Sequence, residues 1–401
     1  FSLYDHVLDT SVMVGAIPDI YGWKSGEVAL DVYFAMARGS GKSGDQTACG
    51  CGPGESRAGA PAQEMTKWFD TNYHFMVPEF TQDQAFTLAS QKPLEHFLEA
   101  KSLGHHTRPV LLGPVTYLRL GKSADADFDP LSLLDRLLPV YAEILGKLSA
   151  SGADWVQMDE PCLVLDMNTE TRDALRRSYA YFAEKLPEMK IMLATYFGGL
   201  GDDLDLALNL PVSGVHLDLV RAPEMLETAV SQAPHDLVLS LGVIDGRNVW
   251  RADLERLYGW LKPVIAQRAD GSIELAPSCS MLHVPIDLDQ EIDLDPDVKE
   301  WLAFSVQKIE ELVTLATALK TGPDAVAGQL SASRLAADRR KASPKVHDPA
   351  VTARLRSVTP DMGHRHSAYA ARARVQRDIL KLPLFPTTTI GSFPQTAEVR
   401  K

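Results

Sequence analysis

The sequence predicts an α/β protein built on a parallel sheet, a (β/α)8 TIM-type barrel short of one strand, and three observations lead there. Short apolar runs alternate with amphipathic stretches along most of the 401 residues, the rhythm of repeated β-α units. The runs are nearly continuous in Val, Ile, Leu and Met, as strands covered on both faces require. Polar residues collect just after them, where barrels of this type carry their functional groups.

Seven runs read as strands: residues 72–79, 108–114, 154–161, 190–197, 213–220, 236–244 and 272–280. Asp129-Pro130 supplies an N-cap and first-turn proline for a helix through "LSLLDRLLPVYAEILGKLSA", with Pro139 as a kink and Gly152 at its C-terminal end. Asp295-Pro296 repeats the device and predicts a long helix burying Leu302, Val306, Ile309 and Val313. Seven strands leave an eight-stranded barrel open, and a chain starting at Phe1 is expected to have lost its first strand before that residue. Residues 1–320 thus form the barrel domain. From Thr321 the rhythm gives way to an Ala, Arg and Ser-rich stretch that reads as a helical connector over 321–383. Residues 384–401, with "PTTTIGS", read as the opening strand of a further domain. The Gly-rich segment 38–63 reads as a mobile loop.

Composition narrows the function classes. Forty Lys and Arg against 53 Asp and Glu give a net charge of −13, which repels nucleic-acid phosphates and anionic membranes. No apolar stretch is long enough to span a bilayer. Four cysteines in 401 residues make no disulfide framework and point to a reducing, cytoplasmic setting. "GSGKSG" at 39–44 lacks the upstream glycine of a phosphate loop. Cys49 and Cys51 read as free thiols, and Cys279 with His283 offers two ligands where zinc takes four.

The strand ends hold the remaining candidates. Asp159 and Glu160 are adjacent and so point to opposite sides of an extended chain, which makes at most one of them a group of the barrel mouth. His216 and Asp218 share one strand face and could meet a common ligand or serve as structural hydrogen-bonding groups. Lys67, in "EMTKWFDTNYHFMVPEF", stands beside aromatic residues, a setting for a flat ligand bearing carboxylates; the bland alternative is a solvated lysine on an amphipathic helix.

Six blocks carry a family resemblance: "EMTKWFDTNYHFMVPEF", "RPVLLGPVTYLRLGK", "WVQMDEPCLVLD", "SLGVIDGRNVWRADL", "APSCSMLHVPIDL" and "LPLFPTTTIGSFPQTAEVR". Together they resemble cobalamin-independent methionine synthase along the whole chain. The resemblance implies two face-to-face (β/α)8 barrels and methyl transfer from 5-methyltetrahydropteroyltriglutamate to homocysteine, the last step of methionine biosynthesis. It makes this chain the first barrel and the start of the second. Lys67 then matches a lysine that contacts the folate polyglutamate tail, and Ile390, Gly391 and Ser392 match the strand that holds homocysteine or methionine. The implied zinc, one per full-length enzyme, and the catalytic residues belong to the second barrel, outside this sequence. The chain is therefore expected to act as scaffold and folate-tail platform, with the missing barrel as its partner and no activity alone. A non-catalytic folate-binding or regulatory module is the rival reading, and a barrel hydrolase using Asp159, Glu160 or His216 a more distant one.

Overall fold

Six of the seven apolar runs pair side by side in one parallel sheet. The computed structural model describes residues 2–40, 59–124, 128–268 and 272–387. In chain order its strands are β1 (Met65–Lys67), β2 (His74–Met76), β3 (Glu79–Phe80), β4 (Val110–Leu112), β5 (Lys122–Ser123), β6 (Trp155–Asp159), β7 (Lys190–Ala194), β8 (Gly214–Asp218), β9 (Val238–Ile244) and β10 (Ile273–Pro277). The parallel sheet runs β10-β9-β8-β7-β6-β4. From β6 to β10 every strand pairs with its successor, with a helix in each connection: Thr169–Lys185, Leu204–Asn209, Met225–Gln232 and Leu254–Ile265.

Register separates the two faces. One row across the sheet reads Leu111, Met158, Leu193, Val215 and Leu239, all buried beneath the helices. The row displaced by one residue reads Leu112, Asp159, Ala194, His216, Ser240 and Glu274, so the other face is largely polar. This face curves inward. Laid flat, five spacings of about 4.8 Å would hold β4 and β10 about 24 Å apart. Yet Arg108, just before β4, donates to both carboxylate oxygens of Glu274 in β10, at 3.0 and 2.7 Å. Its guanidinium also lies over the Trp155 ring, 4.9 Å from the centroid.

Two expectations need correction. The 72–79 run does not join the parallel sheet: β2 pairs antiparallel with β1 in a hairpin, and β3 pairs with β5. Asp295 caps only the short helix Pro296–Glu300. The chain then stops coiling because 301–303 pair with the 249–251 backbone: Trp301 O accepts from Arg251 N and Ala303 N donates to Val249 O. A second helix, Ser305–Thr321, starts afresh and buries Lys308, Glu311, Leu315 and Ala318. Val306, Ile309 and Val313 are 40%, 53% and 61% exposed, so the predicted face is turned outward.

Asp129 behaves as its sequence suggests, accepting from Leu131 N at 3.0 Å. The first turn, Pro130–Leu133, is 3-10, and the α-helix proper, Leu134–Ala150, runs on through Pro139. Gly152 follows with φ +91°, where a side chain would strain the backbone. The chain divides into two compact units, 1–340 and 341–401. The second holds the helices Pro349–Arg356 and Tyr369–Leu380. No helix among the described residues is long and apolar enough to cross a membrane.

Candidate functional site at the strand ends

The β1-β2 hairpin lies against the C-terminal ends of the parallel strands, and its own turn is tightly made. Trp68 N donates to Tyr73 O at 2.7 Å, Thr71 Oγ1 donates to Trp68 O at 2.6 Å, and Phe69 takes a left-handed φ of +50°. Asp5 fastens the hairpin to the helix His6–Met13 by accepting from Leu8 N (2.8 Å) and Met76 N (3.1 Å). His6 packs edge-on to Trp68 and stacks on Tyr73, and burial lowers its imidazole to about 4.

Aromatic rings and one carboxylate join the hairpin to the strand-end loops. Phe69 meets Phe197, after β7, at 5.7 Å between centroids, and Tyr73 meets His283, after β10, at 6.2 Å. Asp70 receives Arg247 Nη1 at 2.7 Å and Arg221 Nη2 at 3.4 Å, while Arg247 Nη2 reaches the Asp70 carbonyl at 3.1 Å. Arg247 also covers the Phe197 ring at 4.9 Å. Lys67 is exposed on β1, opposite His74, and has no hydrogen-bond or ion-pair partner among the described residues. It stands on a strand, which removes the helical reading.

Asp159 and Glu160 diverge as adjacent residues should. Asp159 faces the polar side, accepting from Gln157 Nε2 (2.8 Å) and Tyr196 OH (3.0 Å), and desolvation pushes its carboxyl up to about 6. A cavity of about 250 Å3 reaches it, lined also by His6, Asp9, Lys92 and His96. Glu160 is fully buried beneath the helix Pro114–Leu120, accepting from Val115 N (3.2 Å) and Thr116 N (2.7 Å). Those bonds favour its charged form, but burial outweighs them and lifts the carboxyl to about 7. Gly113 leaves room for it: a Cβ there would lie 2.1 Å from Glu160 Cδ.

The structure does not bring His216 and Asp218 to one ligand. His216 Nδ1 lies 2.9 Å from Ser240 Oγ and Nε2 lies 3.3 Å from Ser278 O, and burial lowers the ring to about 4. Asp218 shapes the next loops, accepting from Phe197 N (2.9 Å), Val220 N (3.1 Å) and Arg221 N (3.0 Å). Asp245 likewise accepts from Arg247 N at 2.8 Å and from the Asn248 side chain. Burial raises the Cys279 thiol to about 12, and among the described residues no three His, Cys, Asp or Glu could hold a metal together. Ile390, Gly391 and Ser392 lie outside the described residues, as do Cys49 and Cys51. Strand-end position marks Arg247, which follows the apolar run 236–244 together with Asp245 and Asn248, but sequence reasoning missed its meeting with Asp70 and Arg221.

A parallel α/β sheet with a hairpin across its strand ends is the frame, and comparison assigns it to a family. Residues 1–269 match the family described as the N-terminal domain of cobalamin-independent synthase, and the chain belongs to that family. A 5-methyltetrahydropteroyltriglutamate--homocysteine methyltransferase of Nitrobacter winogradskyi is 63% identical, covering 100% of this chain and 52% of the relative. The protein of the same name in Rhodopseudomonas palustris is 61% identical over 100% and 51%. The chain thus spans about half the length of these curated relatives. A B12-independent methionine synthase from a Shewanella species, in complex with selenomethionine, aligns over 65% of this chain and 73% of its own, at 16% identity and a TM-score of 0.46.

Proposed function

We propose that this chain is the first half of a methyltransferase that moves a methyl group from 5-methyltetrahydropteroyltri-L-glutamate to L-homocysteine, giving L-methionine. The observation that carries the reading is the 63% identity, along the whole chain, to a relative named for that reaction. On this reading residues 1–320 complete a (β/α)8 barrel with strand material outside the sequence. Residues 321–383 connect the domains, and 384–401 open the second barrel, where Ile390, Gly391 and Ser392 hold homocysteine. A cytoplasmic location goes with the same reading.

The part assigned to this half is binding and support. Lys67 offers an ammonium with no partner among the described residues, on a strand held rigidly by Trp68, Tyr73 and Asp5, which suits a γ-carboxylate of the glutamate tail. Asp159, Glu160, His216 and Asp218 spend their hydrogen bonds on the protein itself and hold the loops in place. Zinc goes with the reaction by family, as the ion that favours the homocysteine thiolate. The described residues of this chain do not fit a zinc centre, and no step within it runs through the metal.

The test is kinetic. In the full-length enzyme Lys67→Ala is expected to raise KM for the triglutamate substrate about tenfold, the loss of one charge-assisted contact, and to spare the monoglutamate. Equal effects on both substrates would remove Lys67 from the tail site. Residues 1–401 alone are expected to give no methionine, and turnover by them would overturn the division of labour.

A further inference from the structure

Beside Lys67 the hairpin carries a second feature, two guanidinium groups from separate strand-end loops converging on one exposed carboxylate. We propose that Arg221 and Arg247 form a further anion site for the glutamate tail, in which Asp70 is a resident carboxylate that the ligand displaces. This rests on the folate-tail reading above and extends it to residues that neither the sequence nor the family likeness assigned.

Charge is the first support. Three cations, Lys67, Arg221 and Arg247, meet one exposed carboxylate, Asp70, while the carboxylates of Asp218 and Asp245 beside them are engaged by loop backbone N–H groups, in a chain whose net charge is −13. A tail of several carboxylates meets the opposite sign there and repulsion over most of the remaining surface. Proximity is the second: Lys67 and Asp70 are three residues apart, at most about 11 Å along the chain.

Preorganisation separates the partners. The Arg247 side chain is only 16% exposed, lies on the Phe197 ring, and leaves a turn set by Asp245. Asp218 accepts from both Phe197 N and Arg221 N, so one buried carboxylate fixes the platform and the second arginine's backbone. The Asp70 side chain is 61% exposed, the two arginines are its side-chain partners among the described residues, and water screens an ion pair whose carboxylate is this open. Arg247 is built in, Arg221 extends a 44% exposed side chain from a fixed backbone, and the anion is exchangeable. Backbone strain falls at the same place: Phe69 and Phe197, with φ of +50° and +78°, are the non-glycine left-handed residues described in the first unit, and their rings touch. Such strain concentrates at ligand sites.

The experiment measures KM for triglutamate and monoglutamate substrates in the full-length enzyme, with calorimetric binding of tri-γ-glutamate as a readout free of turnover. Arg247→Gln is expected to raise the triglutamate KM and the tri-γ-glutamate Kd about tenfold, with monoglutamate and homocysteine KM within twofold. Arg247→Lys, which keeps the charge, is expected to recover part of the loss. Asp70→Asn, which removes the competitor, is expected to leave tri-γ-glutamate binding as tight or tighter. If Asp70→Asn weakens binding as much as Arg247→Gln, the cluster is a latch for the hairpin and the proposal fails. Unchanged binding in Arg247→Gln also sinks it, while the Lys67 reading stands if Lys67→Ala still abolishes the triglutamate preference. A wild-type enzyme without any triglutamate preference removes both.

Discussion

Replacing Gly113 by Ala reverses the usual sign of a glycine-to-alanine change. The backbone at Gly113 is ordinary, with φ −68° and ψ 148°, so alanine fits the conformation and by chain entropy alone gains about 0.4–1 kcal/mol. Its Cβ, however, would stand 2.1 Å from Cδ and 2.3 Å from Oε1 of Glu160. That carboxylate cannot swing aside into solvent, because it is fully buried between the start of the helix Pro114–Leu120, Tyr179 and Cys162. Moving it leaves one or both of the buried Val115 and Thr116 N–H groups without a partner, at about 1–3 kcal/mol each. The net expectation is a loss of about 2–4 kcal/mol, read as a lower urea midpoint by circular dichroism with an unchanged m-value. In a Glu160→Ala background the obstacle is gone, and Gly113→Ala should be neutral or slightly stabilising. A Gly113→Ala protein as stable as wild type, or an equal loss in both backgrounds, would refute the reasoning.

Other outcomes follow from the same geometry. Between about pH 4.5 and 7 the folded chain keeps a proton on Glu160 that the unfolded chain has lost, so stability drains away as pH rises; Glu160→Gln should flatten that decline, by roughly 3 kcal/mol at most, in urea midpoints taken across the window. His216 acts in the opposite sense, since below pH 6.5 the unfolded imidazole gains a proton that the folded ring refuses down to about 4; His216→Asn should reduce the stability lost on acidification, and identical slopes in both proteins would count against its buried, neutral state. On the helix Ser305–Thr321, Ile309→Ser and Val313→Ser should stay within about 0.5 kcal/mol of wild type while Leu315→Ala loses about 2–5, and the reverse ranking would restore the face first predicted.

Much of the sheet was legible because each parallel strand is a local apolar run that pairs with its neighbour in sequence. The 72–79 run misled because its short-range signal is the same in a hairpin and in a parallel sheet, and its antiparallel partner is only three residues long. The helix after Asp295 was misread for a related reason: Leu302, Val306, Ile309 and Val313 keep helical spacing, but nothing local announces that residues 249–251, some 50 positions earlier, take the backbone of 301–303. Among the site residues, the opposed directions of Asp159 and Glu160 came from strand geometry alone. The meeting of Asp70 with Arg221 and Arg247 spans 151 and 177 residues, a separation over which spacing carries no information.

The bond from Arg108 to Glu274 also bears on how fast the chain folds and unfolds. From β6 to β10 the sheet can zip along the sequence, each new strand closing only a short loop. The Arg108 clasp closes a loop of 166 residues and gains nothing until the strands between have formed. It therefore belongs to the late side of the folding barrier. Removing it should leave the refolding rate nearly unchanged and speed unfolding, so that this one ion pair governs how long the folded sheet persists rather than how readily it forms.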